Sequence, residues 1–287
     1  RLAIYELLID DHNPPYAVVD SYVKLSKQII GNYITGFINA ILRKISISDK
    51  YLYKEKSPEN IAVQLSYPDW IVDRWINQFG KKKAITLCEY FNNPHTIMIR
   101  RNELKIDHNS LIEKLKIEKI HIERYNDSKN FYFLNKGVRS LLNNKLFNNG
   151  FISIQDRAAG AVVELLDPKP GEVILDACAA PGTKAFYIAE KMEYNGKLIA
   201  SDISKNRIDM CHKDNKRHNI NWINWCIKNA EKDKFPLLNR ALIDAPCSST
   251  GTIGKNPEVR WKCNIDQIKQ LKIKQLGILL NISKYIK

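Results

Sequence analysis

Between residues 146 and 287, short apolar runs alternate with amphipathic stretches, and this alternation constrains the fold more than any other feature of the sequence. The apolar runs are too short for helices, whereas the stretches between them have apolar residues at helical spacing. The runs and stretches cover, in chain order, residues 173–176, 185–191, 197–201, 205–218, 222–227 and 240–243. Buried strands that alternate with helices form parallel sheets. We therefore predict an α/β fold with a Rossmann-like, doubly wound sheet.

The first part of the chain has a helical pattern. Residues 1–48 have apolar residues at helical spacing, with interruptions at Pro14-Pro15 and Gly31, and this predicts two or three short helices. Residues 49–66 are polar and charged, which is typical of a linker or of an exposed helical connection. The chain thus begins with a small all-helical piece followed by a linker.

Residues 67–145 mix helical and strand-like patterns, with Asp69 as the expected N-cap of the first helix. The strand-like runs are residues 97–100, 120–122 and 131–134. Such alternation suits a small α+β subdomain. Two interpretations stay open: a packing domain, or a domain that contacts RNA. In the second, Arg100, Arg101 and Lys81–Lys83 would bind phosphates, whereas in the first they would form a solvated face.

The chain is strongly basic. Lys and Arg number 45 against 31 Asp and Glu, so the formal net charge is +14, and the sequence pI is about 9.4. A protein that binds a polyanion has such a balance. The chain is also rich in Lys, Ile and Asn together, a bias that AT-rich coding alone would produce. The charge by itself therefore leaves nucleic-acid binding as one of two explanations.

The cysteines and the hydropathy exclude several classes of protein. The six cysteines form no CxxC pair and no Cys/His cluster with zinc spacing, so we expect a reduced cytoplasmic protein without a metal site. No apolar run approaches the roughly 18 residues that a membrane-spanning helix needs. We therefore expect no membrane association.

Polar residues follow three of the predicted parallel strands, where ligands bind in open α/β sheets. The first strand ends at Asp176 and leads into a loop of small residues, whose backbone amides can approach a ligand closely. The second ends at Asp202, which either caps the next helix or accepts hydrogen bonds from ribose hydroxyls. The third leads into Asp244-Ala-Pro-Cys247, which positions a thiol for chemistry. The glycine spacing fits neither a dinucleotide-binding fingerprint nor a P-loop.

Two long motifs carry a resemblance to a known family. DACAAPGTK, starting at Asp176, and LIDAPCSSTGTIGKNPEVRW, starting at Leu242, resemble the cofactor loop and the cytosine-site motif of the S-adenosylmethionine-dependent RNA 5-methylcytosine methyltransferases. Gln155-Asp156 also resembles this family. NPPYAVVDSYVKLSKQ and GFINAILRKI, near the start of the chain, resemble the second half of the NusB-like RNA-binding domain fused to a member that modifies small-subunit (16S) ribosomal RNA.

The resemblance divides the chain into four parts. Residues 1–48 would be the C-terminal part of a NusB-like helical domain, and residues 49–66 a linker. Residues 67–145 would be the small N-terminal subdomain of the methyltransferase, and residues 146–287 its S-adenosylmethionine-binding domain. The implied activity is methylation of carbon 5 of a cytosine in 16S ribosomal RNA, by a cytoplasmic monomer that uses neither a metal nor a membrane.

The resemblance also assigns roles to individual residues. Asp202 would hold the ribose of the cofactor, and Asn229 stands near the adenine, where the family usually has Asp. Thr183 and Ala185 stand where Gly and Thr are usual. The implied cofactor-binding residues are Cys178, Ala179, Ala180, Pro181, Gly182, Thr183, Lys184, Asp202, Asn229 and Asp244. Cys247 matches the cysteine that assists product release.

The family's nucleophile is a second cysteine, in a Thr-Cys-Ser motif on a later strand, and this chain ends at Lys287 without such a motif. The chain also begins at Arg1, inside an apolar periodic stretch. We therefore expect a piece of a longer protein that is inactive by itself. Two alternatives stay open: a methyltransferase of transfer RNA or another RNA, and a non-catalytic RNA-binding or ribosome assembly factor.

Overall fold

The computed structural model describes residues 1–10, 13–47, 60–93, 95–126 and 128–287. These residues form two compact units, Arg1–Val72 and Asp73–Lys287. Most of the linker that we predict at residues 49–66 lies outside the described residues, and within its last seven residues a short helix forms.

The first unit is helical, as the sequence predicts. Its helices are α1 (Leu2–Leu8), α2 (Pro15–Ile29), α3 (Thr35–Ser46) and α4 (Ile61–Leu65). Pro15 occupies the first position of α2, where a residue without a backbone N–H costs no hydrogen bond. Asn60 caps α4, since its side-chain oxygen accepts a hydrogen bond from the Ala62 nitrogen at 2.7 Å. Ala3, Leu7, Val18, Val19 and Leu42 form the buried core of α1–α3.

Helix α5 (Asp69–Phe79) begins in the first unit and ends in the second, where α6 (Lys81–Asn92) follows. Asp69, which we predict as the cap of α5, is instead its first helical residue. Gly80 separates the two helices with a φ of +81°, a conformation that favours glycine.

An antiparallel four-stranded sheet follows α6. Its strands are β1 (Ile97–Arg101), β2 (His121–Arg124), β3 (Phe131–Lys136) and β4 (Ile152–Ile154), in the order β2-β3-β1-β4. The helices of this region are α7 (His108–Ile117), α8 (Val138–Leu142) and α9 (Lys145–Asn148). Strand β4 lies beyond residue 146, where we predict the next domain to begin, yet it pairs with β1. Three residues are too few to give a strand pattern that sequence reasoning can assign.

The two arginines at the end of β1 are buried, because β1 lies between β3 and β4 in the middle of the sheet. The Arg100 guanidinium donates from Nε to Gln155 Oε1 at 2.6 Å and from a terminal nitrogen to Glu190 Oε1 at 3.0 Å. Arg101 donates to the Ile106 carbonyl at 2.5 Å. The prediction that these arginines bind phosphates is therefore wrong, and they do not form a solvated face either. Lys81–Lys83 are exposed.

The second sheet is parallel, as we predict from the sequence, and helices connect β5 to β6 and β6 to β7. Its strands are β5 (Val173–Asp176), β6 (Lys197–Asp202), β7 (Asn224–Ile227) and β8 (Arg240–Leu242), in the order β7-β6-β5-β8. Its helices are α10 (Arg157–Leu166), α11 (Thr183–Lys191), α12 (Lys205–His218), α13 (Val259–Lys262) and α14 (Ile265–Ser283). The fold of residues 157–287 is thus α/β and Rossmann-like.

The strand order reverses beside β5. From β5 the chain runs outward through β6 to β7 and then returns to β8 on the other side of β5. In open α/β sheets such a switch point opens a crevice beyond the carboxyl ends of the strands. The ends of β5, β6 and β8 therefore place three loops around one crevice.

Among the described residues, no helix combines the length and the apolar character that crossing a membrane requires.

Candidate active site

The loop after β5 is held tightly against the neighbouring strand. The Ala179 nitrogen donates to the Ser201 carbonyl at 2.8 Å, and the Gly182 nitrogen donates to the Ala179 carbonyl at 2.7 Å. Gly182 has a φ of +102°, and a Cβ atom there would lie 3.0 Å from the Trp225 ring. The loop therefore needs glycine at this position, directly before the N-terminus of α11.

Two polar side chains at the switch point are buried without partners among the described residues. Neither carboxylate oxygen of Asp176, nor the hydroxyl of Ser201, has a hydrogen-bond partner. Burial raises the pKa of Asp176 to about 7; Lys184 opposes this shift, and Asp244 and Asp202 add to it. Since buried polar groups are nearly always hydrogen-bonded, these two side chains have capacity for a ligand or for water.

Asp202, at the end of β6, is oriented by two neighbours. Its Oδ1 accepts a hydrogen bond from the Ser204 nitrogen at 2.9 Å, and its Oδ2 lies 3.1 Å from a terminal nitrogen of Arg207. A carboxylate offers about four acceptor sites, so it can still accept bonds from two hydroxyls. This arrangement suits the ribose-binding role that the sequence analysis gives to Asp202.

Arg207 is a site residue that sequence reasoning missed. Besides its contact with Asp202, it donates from a terminal nitrogen to the Ala180 carbonyl. It therefore connects the loop after β5 to the acid after β6. The available signal was a cation in the first turn of the helix after Asp202, where an arginine is long enough to fold back over the strand ends.

The loops after β5 and β8 meet through an ion pair. The Lys184 ammonium, in the first turn of α11, lies 2.6 Å from Asp244 Oδ2. Lys184 and Asp244 are 60 residues apart in the sequence, and each belongs to one of the two long motifs of the sequence analysis. The structure thus brings the residues from Cys178 to Lys184, Asp202 and Asp244 to one edge of the parallel sheet.

Asn229 follows β7 and forms part of a turn. Its side-chain oxygen accepts a hydrogen bond from the Glu231 nitrogen at 3.0 Å, and its own nitrogen donates to Asp233 Oδ2 at 2.8 Å. The Lys228 nitrogen donates to the Asp202 carbonyl at 3.1 Å, so the turn is attached to the end of β6. Asn229 therefore belongs to the same edge of the sheet, although its side-chain oxygen is already engaged.

Cys247 is exposed beside a cavity of about 520 Å³. The Ser249 nitrogen donates to its sulfur at 3.4 Å. The loop that carries Cys247 forms one wall of the cavity, and α13 and α14 form the others, with Lys262 and Lys274 among the lining residues. An exposed thiol and two cations thus face a space of the size of a small ligand.

The other five cysteines are held as thiols. Burial raises the pKa of Cys88 and of Cys178 to about 11, and that of Cys211 to about 12. Burial also raises the pKa of Cys226 and of Cys263. Since the thiolate is the nucleophilic form, none of these five is suited to attack at neutral pH.

The part of the chain that the structure describes contains no group of three or more His, Cys, Asp or Glu side chains arranged to hold a metal ion.

Comparisons with known families match three consecutive segments of the chain. The model of the 16S rRNA methyltransferase RsmB/F family matches residues 163–287. The RsmF/B-like ferredoxin-like domain matches residues 67–139, and the NusB family matches residues 1–46.

Curated relatives match over the whole length of this chain. The chain is 30% identical to the probable ribosomal RNA small subunit methyltransferase B of Bacillus subtilis, over all of this chain and 65% of the relative. It is 28% identical to the protein of the same name from Synechocystis, over all of this chain and 66% of that relative. The chain thus spans about 65% of the length of these relatives.

Solved structures agree in fold. The crystal structure of the protein PH0851 matches all of this chain and 65% of that protein, with a TM-score of 0.85 and 27% identity. The crystal structure of NSun6 from Pyrococcus horikoshii, solved with SFG, matches 77% of this chain and 80% of that protein, with a TM-score of 0.71 and 21% identity. In its parallel-sheet site, its three matched segments and its relatives, this chain is similar to the RsmB/F methyltransferase family.

Proposed function

We propose that this chain is the cofactor-binding and RNA-binding part of an S-adenosylmethionine-dependent enzyme that methylates carbon 5 of a cytosine in 16S ribosomal RNA. The observation that carries the proposal is the joining of three strand-end loops by two cations. Lys184 pairs with Asp244, and Arg207 connects Ala180 with Asp202. The names of the relatives support ribosomal RNA as the substrate.

The residues at the edge of the parallel sheet fit S-adenosylmethionine. The loop at residues 177–182 has only small side chains and a proline, so its backbone can approach the methionine part closely. The unpartnered Asp176 and Ser201 supply polar atoms beneath it, and Asp202 has free acceptor sites for the ribose. The P. horikoshii NSun6 structure, solved with an S-adenosylmethionine analogue, supports this assignment.

In the proposed reaction the cofactor supplies an electrophilic methyl group. Asp244 would lie near both the methyl donor and the edge of the cytosine, with Lys184 fixing its orientation. Release of the product requires that the proton on carbon 5 leave and that the bond between carbon 6 and the nucleophilic sulfur break. Cys247, which matches the family's release-assisting cysteine, would assist this release, and its exposure beside a cavity leaves it accessible to RNA.

We assign the nucleophile to none of the six cysteines. Five have raised pKa values because they are buried, and Cys247 has the release role. Residues 1–287 are therefore expected to bind cofactor and RNA without turnover. Repeated transfer of labelled methyl groups to RNA by residues 1–287 would contradict this assignment.

The domain boundaries of the sequence analysis become part of the proposal, with one adjustment. Residues 1–48 and 67–145 would position RNA, and the domain from residue 146 would hold the cofactor. Since β4 pairs with β1, the division lies after β4 and not at residue 146. We further propose that the protein acts as a cytoplasmic monomer.

Calorimetric titration of residues 1–287 with S-adenosylmethionine tests the cofactor site. Asp202→Ala removes both acceptor oxygens for the ribose, so we expect the Kd to rise at least about 10-fold, because hydrogen bonds to a charged group contribute about 1.5–3 kcal/mol. Asp209→Ala is the matched control, since Asp209 is an exposed acid on α12, the helix that follows Asp202. Equal affinities for the two variants, or no binding by the unsubstituted chain, would refute the site.

The substrate needs a separate test, because transfer RNA and assembly-factor functions are the alternatives. Binding of residues 1–287 to unmodified 16S ribosomal RNA and to transfer RNA is compared at several salt concentrations. The proposal expects tighter binding to the ribosomal RNA, with an affinity that falls steeply as salt rises. A preference for transfer RNA would favour the first alternative.

A further inference from the structure

A second cavity, of about 650 Å³, lies in the Asp73–Lys287 unit between the antiparallel sheet and the loop that follows Cys247. Its walls come from the end of α6, from β1 and β3, from the start of α10 and from residues 251–255. We call it the aromatic pocket and define it by Tyr90, His95, Tyr125, Phe133, Arg157 and Lys255. No residue of this pocket has a role in the cofactor site.

Aromatic rings form two walls of the aromatic pocket. Tyr90 and His95 lie with their ring centroids 5.2 Å apart, and Tyr90 is 60% exposed. On the sheet, Tyr125 and Phe133 pack edge to face at 5.3 Å and are half-buried. An exposed tyrosine and a second aromatic pair beside one cavity give flat surfaces on which a planar group can stack.

Cations lie beside these rings. Lys255 pairs with Asp156, and Arg157 pairs with Glu164 at 2.7 Å, and their side chains remain 44% and 27% exposed. The exposed Lys81–Lys83 lie at the start of α6, the helix that carries Tyr90 in its last turn. In a chain of net charge +14, this combination of flat rings and cations suits a polyanion with planar groups.

The aromatic pocket is close to Cys247 along the chain. The Ser249 nitrogen donates to Cys247 Sγ, and the Thr252 nitrogen donates to the Ser249 carbonyl at 2.8 Å. Cys247 and Thr252 are five residues apart, so they are separated by at most about 18 Å even when the chain is fully extended. A strand of nucleic acid with one base beside Cys247 can therefore place a nearby base in the pocket.

Glycine fixes the wall that connects the two sites. A Cβ atom on Gly254 would lie 1.7 Å from the Nε2 atom of His95, so the loop packs this closely against the His95 ring because residue 254 has no side chain. The loop that begins at Cys247 is thereby held against the aromatic pocket. One loop thus contributes to both cavities, with Cys247 at the first and residues 251–255 at the aromatic pocket.

We propose that the aromatic pocket binds an unpaired base of single-stranded RNA near the target cytosine, an inference that rests on the proposed function of the chain. The base stacks on Tyr90 or Tyr125, and the adjoining phosphates lie near Lys255 and Arg157. An unpaired base is required, because bases in a duplex have their faces covered by neighbouring pairs. The pocket would thus favour loops or single-stranded regions as substrates.

Fluorescence with a short single-stranded RNA tests the proposal. The RNA contains a cytosine, and 2-aminopurine replaces each neighbouring base in turn. Stacking in the pocket quenches the probe at one position upon binding of residues 1–287. Tyr90→Ala and Tyr125→Ala are expected to weaken binding about 5- to 100-fold and to abolish the quench, whereas Tyr90→Phe and Tyr125→Phe retain both.

Phe79→Ala is the matched control, because Phe79 is an exposed aromatic residue on α5 that does not line the pocket. Cofactor affinity, measured in parallel, reports whether each variant is folded. If the unsubstituted chain does not bind RNA, the proposed function itself fails. If it binds RNA but both tyrosine-to-alanine variants keep its affinity and quench, the pocket inference is overturned and the proposed function stands. If the pocket binds a peptide and not RNA, both alanine variants likewise keep their RNA affinity and quench.

Discussion

A buried charged residue of the antiparallel sheet and one of the parallel sheet differ in whether they have hydrogen-bond partners. Arg100 of the antiparallel sheet is 1% exposed and donates to both Glu190 and Gln155. Asp176 of the parallel sheet is also fully buried, yet its carboxylate has no hydrogen-bond partner among the described residues. In the first arrangement the two charges are complete without a ligand, although Gln155 Nε2 has no partner among the described residues, whereas the second leaves both carboxylate oxygens without one. Buried charge therefore indicates packing in one region and binding in the other, and the partners distinguish the two.

The largest effect is expected from breaking the complete arrangement. Glu190→Ala leaves the Arg100 charge buried without its carboxylate, which should lower the free energy of unfolding by about 3–5 kcal/mol. Urea denaturation followed by circular dichroism measures this change. The control is the double variant Arg100→Met with Glu190→Met, which removes both charges and should recover most of the loss. If the free energy of unfolding of Glu190→Ala lies within about 1 kcal/mol of that of the unsubstituted chain, the ion pair is not an essential contact.

A pH-dependent effect, smaller than the first for each pH unit, is expected at the incomplete arrangement. The pKa of Asp176 is raised from 3.8 to about 7 in the folded chain, so between these values the folded state binds a proton that the unfolded state has lost. The contribution of Asp176 to stability is therefore present below pH 4 and is lost as pH rises towards 7. Asp176→Asn should remove this loss, which amounts to about 1.4 kcal/mol per pH unit.

Urea denaturation of Asp176→Asn and of the unsubstituted chain from pH 5 to pH 8 tests this expectation. The variant should be the more stable one at pH 8, and the difference should shrink as pH falls. Asp209→Asn, at an exposed acid, is the control. A difference that does not vary with pH would mean that Asp176 is charged in the folded state throughout this range.

The smallest effect on stability is expected from the ion pair that joins the two loops. The Asp244 side chain is 55% exposed, so Lys184→Met should change the free energy of unfolding by less than about 1 kcal/mol. Lys184 lowers the pKa of Asp176, and its removal should therefore raise that pKa further. Titration of the Asp176 carboxyl carbon by nuclear magnetic resonance measures the shift. An unchanged pKa would mean that Lys184 does not influence the ionisation of Asp176.

The parallel sheet could be predicted from the sequence because its signals are local. Each strand is a short apolar run, and each following helix begins at a small or capping residue, such as Ser204 before α12. The roles of Cys178 to Lys184, Asp202, Asn229, Asp244 and Cys247 stay predictions that the proposed experiments address. These residues lie at the same edge of the sheet because they follow parallel strands, whose carboxyl ends lie together.

The features that sequence reasoning missed depend on distant partners. Arg100 looked like a phosphate ligand because its carboxylate partner, Glu190, lies 90 residues away. For Arg207 the sequence offered only a cation in the first turn of α12, because its role depends on the position of the Ala180 carbonyl, 27 residues earlier. Such contacts follow from tertiary packing, which local spacing does not encode.

Helix α11 has a consequence for exchanging modules between relatives. Its first residue, Thr183, follows the loop of the candidate cofactor site, and Glu190, near its other end, binds Arg100 of the antiparallel sheet. Its nine residues form a rod of about 13 Å that both modules share. A chimera that replaces the antiparallel module alone would break this junction. Arg100, Gln155 and Glu190 must be exchanged together for the grafted module to keep its register on the cofactor domain.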